Sequence, residues 1–127
     1  MYVCTTVVTA ITLCTYQVLA FNVGKGRETY GIKAPAIAGN ETFERMYRVQ
    51  MNTLEQLPFF LPSLWLFAMH VSDGFASLLG LAWVSGRIIY AHDYYEDAAK
   101  RGKGFMISFF AAIILLLGGV IGALVHG

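Results

Sequence analysis

Apolar residues run through this chain in four long stretches, Tyr2 to Val23, Leu54 to Val71, Phe75 to Tyr90 and Phe105 to Val125. A helix crossing a bilayer needs about 20 mainly apolar residues, and all four stretches approach that length. Two of them carry a polar stripe. Arg45, Arg48, Asn52 and Glu55 lead into the second stretch, and Arg87, Tyr90, Tyr94, Asp97 and Arg101 lie along the end of the third and beyond it. Both stripes step by three or four residues, so each lies on one face of a helix and extends the helical period past the apolar run. The pattern predicts an all-α, integral-membrane four-helix bundle as a single domain over residues 1–127.

The connections are uneven. Gly24 to Asn40 contains Gly24, Gly26, Gly31, Pro35 and Gly39 and reads as the one long loop. A helix then starts with Asn40 or Thr42 as its cap, with Glu41 and Glu44 suited to the dipole of its first turn, and runs on through Pro58 and Pro62. Ser72-Asp73-Gly74 is a tight turn between antiparallel neighbours. The third helix should continue through Tyr94 toward Ala99, before Gly102 and Gly104 break it. In the fourth stretch Gly118, Gly119, Gly122 and Ala123 favour close helix contact.

Composition supports the membrane reading: of 127 residues, 57% are hydrophobic and 13% charged, more apolar than a soluble core this small could hide. The net charge of +1 gives no footprint for nucleic acid. The placement of the bases says more. Lys25, Arg27, Lys33, Arg45, Arg48, Arg87, Lys100, Arg101 and Lys103 fall in or beside the first and third connections, and the turn at residues 71–74 has none. The positive-inside rule then puts both basic loops in the cytoplasm and both termini outside, with four spans. The first stretch lacks the basic region and cleavage site of a signal peptide and reads as a retained span.

The polar residues bound the chemistry. An ionised group at the bilayer centre costs roughly 2.5 to 3.5 kcal/mol, so the stripes should turn inward to partners, water or a polar ligand. Arg45, Arg48, Arg87 and Arg101 outnumber Glu55 and Asp97, and surplus guanidinium suggests an anionic guest. A buried network that only fixes helix register is the competing explanation for these residues. Tyr90 and Tyr94 are phenols able to donate, although interface tyrosines also serve as membrane anchors. Arg101 could favour a bound thiolate or meet a phospholipid headgroup. Cys4 and Cys14 lie about 15 Å apart along one helix, so they cannot bridge each other, and thiol chemistry at the stripes would need a borrowed thiol. His70, His92 and His126 are scattered, and no metal site is expected.

The segment Phe43-Glu44-Arg45-Met46-Tyr47-Arg48-Val49-Gln50-Met51-Asn52-Thr53-Leu54-Glu55-Gln56-Leu57-Pro58 resembles the signature of the MAPEG family, membrane-associated proteins in eicosanoid and glutathione metabolism. Arg87, Tyr90, Tyr94 and Arg101 stand at spacings similar to those of its microsomal glutathione transferase and leukotriene C4 synthase branch. The resemblance implies a homotrimer of four-helix protomers with glutathione, the co-substrate, held between neighbours on the cytosolic side. It implies that Arg48, Asn52, Glu55, Tyr90 and Tyr94 bind the tripeptide, with Arg27 and Gln50 contributing from the adjacent subunit and Arg87 holding glutathione or shaping the site. Arg101 would stabilise the thiolate with Tyr90 assisting, and Lys103 two residues on is the alternative base. The implied activity is glutathione transfer, with peroxidase activity besides, on lipophilic electrophiles or lipid hydroperoxides entering from the membrane lipids. A non-catalytic lipid-binding protein on the same fold is the alternative. The short end after the fourth stretch is similar to a minimal bacterial member, which implies a bacterial inner membrane.

Overall fold

The computed structural model describes residues 1–126 and is all-helical. Four helices, α1 (Val3–Tyr30), α2 (Glu41–His70), α3 (Asp73–Glu96) and α4 (Gly102–His126), pack as one bundle, with a single 3-10 turn at Ala98–Lys100 between the last two. By length and composition α1, α3 and the stretch Ala98–His126 are each apolar enough to cross a membrane. α2, which carries the first polar stripe, falls outside that set.

Helix limits depart from the sequence expectation at two places that bear on the site. The first is α1, which does not stop at Val23 but continues through Gly24 and Gly26 to Tyr30. A glycine costs a helix about 1 kcal/mol, and tertiary packing overrides that cost here. Gly26 is buried against α2, where an added Cβ would lie 3.1 Å from the Phe43 ring and 3.3 Å from Met46. The loop is therefore residues 31–40. It opens at Gly31, whose left-handed φ of 69° ends α1, and it closes at Asn40, whose side chain accepts from Phe43 N at 3.0 Å and caps α2.

The second departure is at the end of α3. The helix stops at Glu96, and Asp97 turns extended, its carboxylate accepting from Ala99 N at 3.0 Å to start the 3-10 turn. Arg101 therefore does not share a helix with Tyr94, and Asp97 serves as a cap instead of extending the stripe. Gly102 and Gly104 do not break a helix either, because they form the first turn of α4.

Both prolines lie inside α2, as expected. The core is centred where α2, α3 and α4 meet, with Phe60 stacked on Trp83 at 4.0 Å between ring centroids and Leu64 and Leu115 fully buried. α4 lies close against α2 through small residues. A Cβ on Gly119 would sit 2.9 Å from Phe67 N, and one on Gly122 would sit 2.9 Å from His70 O. Many large apolar side chains outside this core, among them Phe21, Phe75, Leu78, Ile121 and Leu124, are exposed, as a lipid-facing surface requires.

α1 is held at its start by Asp73, the first residue of α3. Tyr2 gives it no side-chain cap, and the Asp73 carboxylate instead accepts from Thr5 N at 2.9 Å and Cys4 N at 3.2 Å. Asp73→Ala leaves these helix-end donors without an acceptor, so it is expected to lower the melting temperature of the detergent-solubilised protein. Asp73→Asn should lower it less, because the amide oxygen still accepts.

Candidate functional site

The two polar stripes face each other across one cavity. Arg48, Asn52 and Glu55 on α2 meet Tyr90 and Tyr94 on α3, and Arg101 closes the end from the turn before α4. The space is about 320 Å³, within the size range of small-molecule pockets. Six of the residues singled out in the sequence thus line a single opening. Tyr90 and Tyr94 stand edge to face with ring centroids 5.4 Å apart, and Arg101 is oriented by an Nη1 hydrogen bond to Ala98 O at 2.7 Å. Lys103 does not line this wall.

Arg87 lies behind the wall, not in it. It is fully buried, donates from Nη1 to Asn52 Oδ1 at 2.7 Å and from Nε to Ser108 Oγ at 3.3 Å, and stacks its guanidinium 4.2 Å over the Tyr90 ring. This one cation fixes two lining residues at once. The Asn52 carbonyl is engaged, which leaves its amide to donate, and Tyr90 is held by a cation–π contact. Arg87 Nη2 has no hydrogen-bond partner.

The sequence suggested that Glu55 and Asp97 would neutralise part of the surplus guanidinium. Among the described residues no arginine lies within salt-bridge distance of a carboxylate; the carboxylates there are approached by Lys100, at Glu96, and by the His92 ring, at Asp93 and Glu96. Arg45 is partly engaged, its Nε donating to Tyr95 O at 3.1 Å, which ties α2 to α3, and it does not line this cavity. Arg48, Arg101 and the buried Arg87 therefore surround the cavity with Glu55 as the acidic residue in its lining. A second space of about 340 Å³ adjoins through Arg48 and Tyr94 and adds Glu41, Glu44, Arg45 and Asp97.

Arg27 and Gln50 are not brought to this cavity. Gln50 Nε2 donates to Tyr16 Oη at 3.2 Å, toward α1. Arg27 Nη1 donates to Ala36 O at 2.7 Å and Ile32 O at 3.4 Å, and its guanidinium lies over the Phe43 ring. Three lining residues were not anticipated: Ile37, Tyr47 and Met51. Tyr47 and Met51 are spaced i, i+4 beside the Arg48 stripe, so widening that stripe by one position would have found them. Ile37 sits in the loop, where no periodicity marks it. His92, Asp93 and Glu96 bring ligand-type atoms within 4.8 Å of one another at the exposed end of α3, outside the cavity, and exposed acidic groups of this kind are common without an ion.

The sequence pattern that defines the MAPEG family matches residues 5–121. The chain belongs to the MAPEG family. Among MAPEG relatives, it is 36% identical over 115 residues to microsomal glutathione S-transferase 2 of Homo sapiens, covering 91% of this chain and 78% of that protein. It is 32% identical over 107 residues to leukotriene C4 synthase of Rattus norvegicus, covering 84% and 71%. An uncharacterized protein of Synechocystis sp. is 49% identical over 117 residues, covering 92% and 85%. This MAPEG chain has the all-helical form and the apolar helices that go with a membrane setting.

Proposed function

We propose that the protein is a membrane glutathione transferase, with glutathione peroxidase activity besides, acting on lipophilic electrophiles or hydroperoxides from the bilayer. The observation that carries this reading is the convergence of Arg48, Asn52, Glu55, Tyr90, Tyr94 and Arg101 on one cavity that lacks a thiol of its own. Glutathione has two carboxylates, one ammonium and a thiol. Arg48 would take a carboxylate, Glu55 the ammonium and the Asn52 amide a backbone carbonyl, with Tyr94 donating from the facing helix. Arg101 would lie beside the sulfur, where a guanidinium favours the thiolate over a thiol whose ordinary pKa is about 8.5. Tyr90, held by Arg87, would donate to the same sulfur.

The chemistry then needs no metal. The thiolate pair forms a carbon–sulfur bond, and the displaced leaving group or a proton taken up at the adjacent carbon balances the charge. With a hydroperoxide, the thiolate attacks the terminal oxygen, the O–O bond breaks, and the departing alkoxide takes up a proton from water to leave as the alcohol. A second glutathione reduces the sulfenic acid left on the first, giving the disulfide and water.

The site reading extends to assembly. Arg27 and Gln50 do not line their own protomer's cavity, and this supports a homotrimer in which a neighbour presents that face to it. The bases gathered near the α1–α2 and α3–α4 connections support four spans in one domain, α2 included, with both termini outside. Ultraviolet absorbance of glutathione added to purified protein in detergent tests the proposal. A saturable thiolate band at neutral pH is expected, with stabilisation of about 2.7 kcal/mol at a hundredfold excess over Kd. Absence of both would sink it.

One observation favours a second reading, a non-catalytic lipid-binding protein. A groove of about 370 Å³ between α1 and α3 presents mostly apolar surface, with Val18, Leu19, Ile88 and Ala91 in its lining beside Asn22, Arg87 and Tyr95. That reading predicts stabilisation by lipid and none by glutathione.

A further inference from the structure

Asp97 and Arg101 close the second polar stripe of the sequence, yet they do not form an ion pair. They meet through one peptide unit instead. The Asp97 carboxylate accepts from Ala99 N at 3.0 Å, and Arg101 Nη1 donates to Ala98 O at 2.7 Å. Ala98 O and Ala99 N belong to the same amide. A trans peptide is planar, so its N–H and C=O point opposite ways and can turn only together. The carboxylate therefore holds one end of a rigid unit whose other end holds the guanidinium. The surroundings are anchored on both sides. Upstream, Asp97 N donates to Asp93 O at 3.0 Å and Arg45 Nε of α2 donates to Tyr95 O at 3.1 Å, which fixes the last turn of α3. Downstream, Phe105 N donates to Arg101 O at 3.2 Å, and Gly104 is pressed on the backbone of α3. Between these anchors the mostly exposed 3-10 turn is closed by Lys100 N on Asp97 O at 2.9 Å and by a long bond, 3.4 Å, from Arg101 N to Ala98 O.

We infer that Asp97 is the positioning residue of Arg101, acting through the amide between Ala98 and Ala99. The inference rests on the glutathione reading for its consequence at sulfur, while the coupling itself is a property of the protein without ligand. Both bonds are charge-assisted, and each polarises the amide in the sense that strengthens the other. With the amide fixed, Arg101 uses one N–H on Ala98 O and presents the rest of its fork to the cavity that it lines. With the amide released, this exposed side chain turns out to water. A donor that must be re-ordered at each encounter stabilises an anion less than one already in place. Asp97 thus reaches the sulfur through Arg101 and not by its own charge, which at close range would disfavour a thiolate.

Ultraviolet titration of glutathione over a range of pH, paired with amide hydrogen exchange of the whole protein in detergent read by NMR, tests this. Asp97→Ala is expected to give about tenfold less thiolate at neutral pH, as loss of one charge-assisted bond implies, with the midpoint of the band moved upward. Glutathione affinity at a pH low enough to keep the thiol protonated should stay as in wild type, because Arg48, Asn52 and Glu55 are untouched. Asp97→Asn, whose Oδ1 still accepts, should restore most of the band. Without glutathione, exchange of the Ala99 amide should rise about tenfold in Asp97→Ala, and it should also rise in Arg101→Ala, which alters only the other end of the same amide. A wild-type band in Asp97→Ala overturns the positioning role. An Asp97→Asn band as weak as that of Asp97→Ala overturns the route through the amide, and a stronger band in both makes Asp97 a direct opponent of the thiolate. Ala99 exchange unmoved by Arg101→Ala overturns the coupling. If wild type shows no thiolate band, the glutathione reading falls, and the exchange result still decides whether Asp97 holds Arg101.

Discussion

Arg101→Ala is expected to abolish the thiolate absorbance of bound glutathione and to lower turnover by about 100- to 1,000-fold, the usual loss when one preorganised donor to a developing anion is removed. The fold should survive, because Arg101 is exposed and its one side-chain hydrogen bond goes to the carbonyl of Ala98, three residues away. Arg101→Lys keeps a charge but loses the planar fork, so it should recover part of the band. Lys103→Ala should leave it intact, since Lys103 does not line the cavity. The measurement is a glutathione titration of all four proteins by ultraviolet absorbance, with circular dichroism to confirm helix content. A full band in Arg101→Ala would remove this residue from the chemistry and return the choice of base to Lys103.

Gly104→Ala carries the other large effect. At this crossing α4 runs directly on the backbone of α3: a Cβ on Gly104 would lie 2.6 Å from Tyr90 Cα, 2.7 Å from Gly86 O and closer still to Tyr90 N. All three atoms are main chain, so no side chain can swing away to make room. The helices must part or the protein must unfold, at about 3 kcal/mol or more. Because Tyr90 is the residue pushed, glutathione binding should fall even where folded protein is recovered. Gly102→Ala is the matched control, with open space around its Cβ, and should melt with wild type. Thermal denaturation in detergent reads the first effect and glutathione titration the second. A Gly104→Ala protein that melts and binds as wild type would show that the α3–α4 crossing is looser than described.

The sequence made much of the site legible because helices turn spacing into direction. Arg48, Asn52 and Glu55 share a face by arithmetic alone, as do Tyr90 and Tyr94, and a chain too apolar for water leaves such faces few places to point. The joint between elements was harder to read. The spacing leaves Arg101 either on the face of Tyr94 or in the loop beyond Ala99, because nothing local shows that Asp97 will cap a new turn instead of continuing the old one. Gly24, Gly26, Gly102 and Gly104 were read as breakers on propensity, while Gly26 and Gly104 are where another helix needs to come close. The resemblance leaves Arg87 either holding glutathione or shaping the site. Only tertiary contacts show that it faces Asn52, Ser108 and the Tyr90 ring. Ile37 had no signal, since a loop residue reaches a cavity through side chains elsewhere that hold its backbone.

The seam between α2 and α4 also sets how sequences of this kind can drift apart. A methyl on Gly118 would strike the Phe67 ring, 2.5 Å away, so this glycine can change if position 67 shrinks in the same lineage. Gly119 and Gly122 meet the main chain of residues 66, 67 and 70, where no partner change makes room. Divergence at the seam is therefore of two kinds. One position is negotiable in pairs, and two are fixed for as long as these helices touch.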